Sequence, residues 1–112
     1  MPATLDRTLG ALADSTRRAV VTELLHGPTR PSELAERLGV SRPALSRHLR
    51  VLRHAGLVSE RVLTEDARGH ILELQRRPFD QLREWLTEVE GLWTVQLGAF
   101  KQYAEKKARR KP

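Results

Sequence analysis

Arg30–Leu57 reads RPSELAERLGVSRPALSRHLRVLRHAGL. It divides at Gly39-Val40-Ser41 into two short helical patterns. In the first, Pro31 fits the opening turn, where a missing N–H costs nothing, and Leu34, Ala35 and Leu38 face inward. Gly39 suits a turn that needs positive φ, and Ser41 suits the cap of the second helix. Leu45, Leu49 and Leu52 recur at i, i+4 and i+7, forming a buried stripe, and Gly56 ends the run. A small residue at Ala35, a glycine at Gly39 and an aliphatic at Leu45 are what a helix-turn-helix crossing requires. The opposite face of the second helix carries Arg42, Arg47, Arg50 and Arg53 and no acid. Such a helix, held at an angle by its predecessor, is shaped for the major groove of double-stranded DNA.

Charge counting shows that this basic face is local. The 112 residues carry 20 Lys and Arg against 14 Asp and Glu. Five of the basic residues lie in Lys106–Pro112, which leaves 15 against 14 in the body. Ser41–His54 is +4, while Pro78–Glu105 is −3. Positive potential therefore falls on the second helix of the pair and on the C-terminal tail.

Working outward, Leu5, Leu9 and Leu12 predict a helix over Thr4–Ala13. Asp14 or Ser15 caps a second helix over Thr16–His26, with Ala19, Val20, Leu24 and Val21 on its apolar face. After Gly56 the period changes from helical to extended. Leu57–Leu63 and His70–Leu74 predict two strands joined at Thr64–Gly69, a β-hairpin. A hairpin in this place is the wing of a winged helix. From Phe79 to Lys107 only Gly91 and Gly98 interrupt a long helix. Its seam is Leu82, Leu86, Val89, Trp93, Gln96, Phe100 and Tyr103, at alternating spacings of four and three. Phe79, Trp85 and Leu92 add a second stripe. Two stripes call for two partners: the chain's own domain and, most simply, the same helix of a second copy.

The expected architecture is thus mainly α with a small β-hairpin wing, in the order α1-α2-α3-α4-β-β-α5. One domain covers 1–112: dimerisation helices at 1–13 and 78–107, the helix-turn-helix at 30–56, the wing at 57–75 and a basic tail at 108–112. The dimer interface is assigned to Leu5, Leu9, Leu82, Leu86, Val89, Trp93, Phe100 and Tyr103. Ser41, Arg42, Ser46 and Arg47 are the expected base-edge readers, since the helix N-terminus enters the groove first and an arginine fork matches guanine. Pro43 shares that face. Arg50 and Arg53 lie further along and are assigned to phosphate, as are His48 beside Arg47 and Arg68 at the wing tip. His48 has an equal claim to pack at the helix crossing. Glu65 and Asp66 stand near Arg68 and oppose a phosphate there.

Other chemistries find little support. There is no cysteine, which excludes disulfides and thiolate metal sites. His26, His48, His54 and His70 form no ligand pair with one another or with a carboxylate on one helix face, so no metal is expected. His26 and His54 read as helix-end residues. No phosphate-binding glycine loop or nucleophile elbow is present, so no cofactor and no enzymatic activity are expected. No apolar run reaches the ~20 residues of a membrane span, and the N-terminus lacks a signal-peptide core, which makes the expected location cytoplasmic.

Leu12–Leu25 (LADSTRRAVVTELL), Ser32–Val58 and the hairpin that follows resemble the ArsR-type winged-helix repressors. Asp14-Ser15-Thr16-Arg17 matches the family's DxTR helix opening, and Ser46–Leu52 matches its SxHLxxL signature. The resemblance implies a homodimer formed through the first and last helices. It also implies two recognition helices on successive major grooves of a near-palindromic operator, repression by blocking the promoter, and a prokaryotic cytoplasm. Metal-sensing members carry a cysteine motif in the helix held here by Ser32–Leu38, or His and Asp ligands in the last helix. Neither is present, so the chain looks like a non-metal member with its effector unknown. Two other functions remain open: a sensor with a pocket among Trp85, Trp93, Phe100 and the first helix, and a winged-helix protein adaptor.

Overall fold

The computed structural model describes residues 3–63 and 69–109. It contains α1 (Ala3–Ala11), α2 (Ser15–Leu24), α3 (Pro31–Leu38), α4 (Arg42–His54), β1 (Val58–Val62), β2 (His70–Leu74) and α5 (Arg76–Arg109). This is a winged helix-turn-helix. The chain divides into two units, Met1–Gln81 and Leu82–Pro112, with the boundary inside α5. No described helix is long and apolar enough to cross a membrane.

In the first unit the core is built mainly by leucines, with Ala11 of α1 and Val58 of β1 joining them. Val20 of α2, Leu34 of α3, Leu45 and Leu52 of α4, Leu57 after it and Leu72 of β2 are all fully buried. Each such side chain contributes roughly 1.5–3 kcal/mol relative to exposure. Phe79, near the start of α5, packs against this cluster.

The helix ends explain their own positions. Asp14 is the cap of α2, and its carboxylate accepts from the Arg17 backbone N–H at 3.0 Å. The α2 helix stops at Leu24, two residues earlier than its sequence pattern suggests, in a turn with Gly27 at φ 134°. Pro31 opens α3, and Gly39 closes it in the left-handed region at φ 65°, ψ 31°. The Ser41 hydroxyl oxygen then accepts from the Ala44 N–H, starting α4.

The stripe on α1 differs from its sequence reading. Leu5, Thr8 and Ala11 are buried, whereas Leu9 is 37% exposed. Short side chains at Thr8 and Ala11 suit the side of α1 that neighbours α4. The Thr8 hydroxyl donates to the Thr4 carbonyl at 3.0 Å, so its burial leaves no polar group unpaired. Leu5, assigned from sequence to the dimer interface, is 4% exposed and therefore belongs to the interior of the chain. Of the two α1 leucines assigned there, only Leu9 offers surface.

The wing is an antiparallel pair with Val58 opposite Leu74 and Val62 opposite His70. The loop before α3 joins it: Thr29 and Leu72 exchange backbone hydrogen bonds at 3.0 and 2.9 Å. This bridge fixes the start of the helix-turn-helix to the base of the wing. The wing tip, with Glu65, Asp66 and Arg68, lies outside the described residues, as does the end of the basic tail, 110–112.

In the second unit α5 runs unbroken through Gly91 and Gly98. Its seam residues are strongly exposed: Leu86 46%, Trp93 64%, Phe100 69% and Tyr103 64%. Val89, Leu92 and Leu97 are exposed as well, and Leu82 is half-buried.

Candidate DNA-binding surface

Successive residues of a helix advance by about 100°. On α4 this places Leu45, Leu49 and Leu52 in the core and Pro43, Arg47, Arg50 and His54 on the outermost line, with Ser46 on its flank and Arg42 at the open first turn of the helix. All six outward residues are exposed. Arg42, Arg47 and Arg50 have no ion-pair or hydrogen-bond partner among the described residues. Ser41 stands at the N-terminal tip. Its oxygen caps the helix, and its hydroxyl hydrogen stays available to donate. The N-terminal end of α4 therefore presents guanidinium forks, hydroxyls and the positive end of a helix dipole on one surface, which suits the acceptors of guanine and the phosphates beside them.

The remaining assigned residues are positioned differently. His48 is half-buried, with Nδ1 3.8 Å from the Asp14 carboxylate. It lies against the α2 cap, at the helix crossing. The backbone N–H of Arg17 holds the Asp14 carboxyl below its usual value; partial burial opposes this, and His48 adds to it. Arg53 does not stand free, because its guanidinium pairs with Glu60 on β1. The Glu60 carboxylate also lies 2.9 Å from Nδ1 of His70 on β2. The C-terminal half of α4 is thus latched to both strands of the wing. Arg61 is similarly paired, 3.6 Å from Glu73 across the hairpin. Arg68 lies outside the described residues.

Two roles had no clear signal in the sequence. Arg17, which ends the DxTR stretch, and Arg18 beside it reach back across the α1–α2 turn. Arg17 donates to the carbonyls of Ala11 and Gly10 at 2.6 and 3.3 Å, and Arg18 to that of Leu12 at 2.8 Å. Arg17 satisfies the last carbonyls of α1, which have no partner within the helix, and Arg18 that of the first turn residue after it. Asp14 and Arg17 thereby tie two helix ends together, so the motif is a corner brace. The Arg53–Glu60 pair spans a helix, a turn and a strand, and no local spacing rule anticipates it.

Among the described residues no group of three or more His, Asp or Glu is placed to hold a metal ion.

This is the surface of a helix-turn-helix regulator, and comparison with known proteins agrees. Residues 14–60 match the family described as bacterial regulatory protein, arsR family. The HTH-type transcriptional regulator Rv2034 of Mycobacterium tuberculosis is 42% identical over 97 residues, covering 87% of this chain and 85% of the relative. An ArsR-like transcriptional regulator from Rhodococcus sp. RHA1 superposes with a TM-score of 0.76 at 32% identity, over 93% of each chain. The transcriptional repressor SdpR of Bacillus subtilis is 30% identical over 56 residues, covering 50% of this chain and 62% of the relative. The chain belongs to the ArsR family of DNA-binding transcriptional regulators. The family consists of regulators, not enzymes.

Proposed function

We propose that the protein is a homodimeric repressor that reads an inverted-repeat operator through α4 in the bacterial cytoplasm, without a metal-sensing site. The observation that carries this reading is that Arg42 at the first turn of α4 and Arg47 and Arg50 on its outward face are exposed and unpaired among the described residues. Most other arginines of the first unit are used: Arg17 and Arg18 on carbonyls, Arg37 on Glu23 and Glu33, Arg53 on Glu60, Arg61 on Glu73 and Arg76 on Asp80. Ser41, Arg42, Ser46 and Arg47 read base edges, and Arg50 meets phosphate. Pro43 packs beside them in the groove. His48 and Arg53 act by holding α4 against α2 and the wing, with any phosphate contact secondary. Arg68 remains assigned to the wing contact.

The dimer is supported by the exposed apolar seam of α5 and by Leu9. A patch of this extent on a small protein marks an interface. A dimer doubles the number of bases read, which a single short helix needs for specificity. Repression follows from occupancy, because a dimer on two major grooves covers promoter DNA; SdpR carries the name of repressor. The lack of cysteine in the sequence, and of a clustered ligand set among the described residues, supports regulation without a metal.

Selection of bound duplexes from a random pool tests the reading. It predicts enrichment of two inverted half-sites, with centres about 10–10.5 base pairs or a multiple apart. Enrichment of a lone half-site would remove the dimer from the account, and no enrichment would remove sequence reading.

A further inference from the structure

The recognition helix has a second unpaired feature. Where α4 neighbours α1, an open cavity of about 540 Å³ is lined by Arg7 and Gly10 of α1, by Arg50, Val51 and His54 of α4, and by Ala55. That volume lies within the ~300–1,000 Å³ of ligand sites. Arg7, Arg50 and His54 converge on it, and no carboxylate lines it. None of the three has an ion-pair or hydrogen-bond partner among the described residues. The two guanidinium charges, with the His54 imidazole beside them as a further hydrogen-bonding group and no counter-charge, favour an anion between them.

The rest of the wall is apolar. Val51 is 39% exposed although it is a large aliphatic on a packed helix, and Ala55 forms the floor. Gly10 leaves the α1 side open: a Cβ built there meets nothing within 4 Å. An inorganic anion would pair the cations and leave Val51 wet. A DNA phosphate would do the same. An organic anion satisfies both halves of the cavity.

We propose that this cavity binds a small organic anion with an apolar body, such as an aromatic carboxylate, and that the bound anion weakens DNA binding by engaging Arg50. The site does not depend on the function proposed above, but the competition rests on Arg50 meeting DNA phosphate. A dimer contact through Leu9 leaves the Arg7 side of the cavity open. At about 100° per residue, Arg7 and Leu9 lie on opposite flanks of the buried Leu5–Thr8–Ala11 stripe, and Gly10 lies nearly opposite that stripe.

Titration calorimetry on the full chain with 2-naphthoate tests the site. Neutral 2-naphthamide and inorganic phosphate serve as the charge and shape controls. Wild type should bind naphthoate more tightly than either control. Arg7→Gln, which removes a charge, and Gly10→Leu, which fills the open side, should each weaken it about tenfold or more. Neither residue belongs to the DNA surface, so both variants should bind the selected duplex as wild type does. Naphthoate should release that duplex from wild type and not from the variants. Equal naphthoate affinity in wild type and both variants would overturn the site, as would phosphate binding as tightly as naphthoate. Naphthoate binding with no effect on the duplex would overturn the competition. If no duplex is selected, the DNA reading fails while calorimetry still decides the cavity.

Discussion

Asp14 shows how much a single side chain can organise. It caps α2 through the Arg17 N–H, faces His48 of α4 and stands beside the brace that Arg17 and Arg18 make to the end of α1. The cap holds its carboxyl below the ordinary 3.8. The stabilisation from this group is therefore complete above the unfolded value and is lost as pH falls through the lower folded value. Asp14→Ala should lower the thermal midpoint by a few degrees at neutral pH, and the difference from wild type should shrink below pH ~4. A constant difference down to pH ~2 would show that the charge has no part in it. Arg53 teaches the converse lesson. Arg50 and Arg53 have the same expected role in the sequence, yet Glu60 claims Arg53 and leaves Arg50 unpaired among the described residues.

At the scale of elements, two glycines make opposite predictions from the same substitution. Gly39 sits at φ 65° with open space around it, so a side chain there meets backbone strain and no clash. Gly39→Ala should cost about 1–2 kcal/mol in denaturant unfolding. Gly10 lies within α1, also with open space, and Gly10→Ala should stabilise by about 0.5–1 kcal/mol. If both substitutions moved stability the same way, the left-handed turn between α3 and α4 would not be the constraint described.

The helix order, the turn at Gly39, the Ser41 cap, the leucine stripe of α4 and the strand pair were legible in the sequence because each rests on local spacing or on one residue's backbone preference. The Thr29–Leu72 bridge was not, since it pairs residues far apart in the chain through backbone atoms that carry no sequence signal. The α1 stripe is legible only in part. Leucine spacing finds buried Leu5 and half-buried Leu12 but not the exposure of Leu9, because the buried side runs from Leu5 through Thr8 and Ala11. For the recognition surface, the outward face of α4 followed from its period, whereas the pairing of Arg53 and the tucked position of His48 needed the fold.

At the scale of the whole molecule, the proposed dimer makes the α5 seam and the exposed arginines of α4 parts of one device. Exposed Trp93 lies at the middle of the seam, and Trp93→Lys should convert a dimer to a monomer in sedimentation while leaving the first unit folded. Persistence of the dimer would place the interface elsewhere. The monomer should also lose affinity for the paired half-sites. The central claim, that α4 reads sequence and does not merely attract phosphate, is tested most directly by Arg47→Ala. Its affinity should be measured for the selected duplex and for a scrambled one at a single salt concentration. The account predicts a loss of about 1–3 kcal/mol on the selected duplex and little change on the scrambled one. An equal loss on both would contradict it.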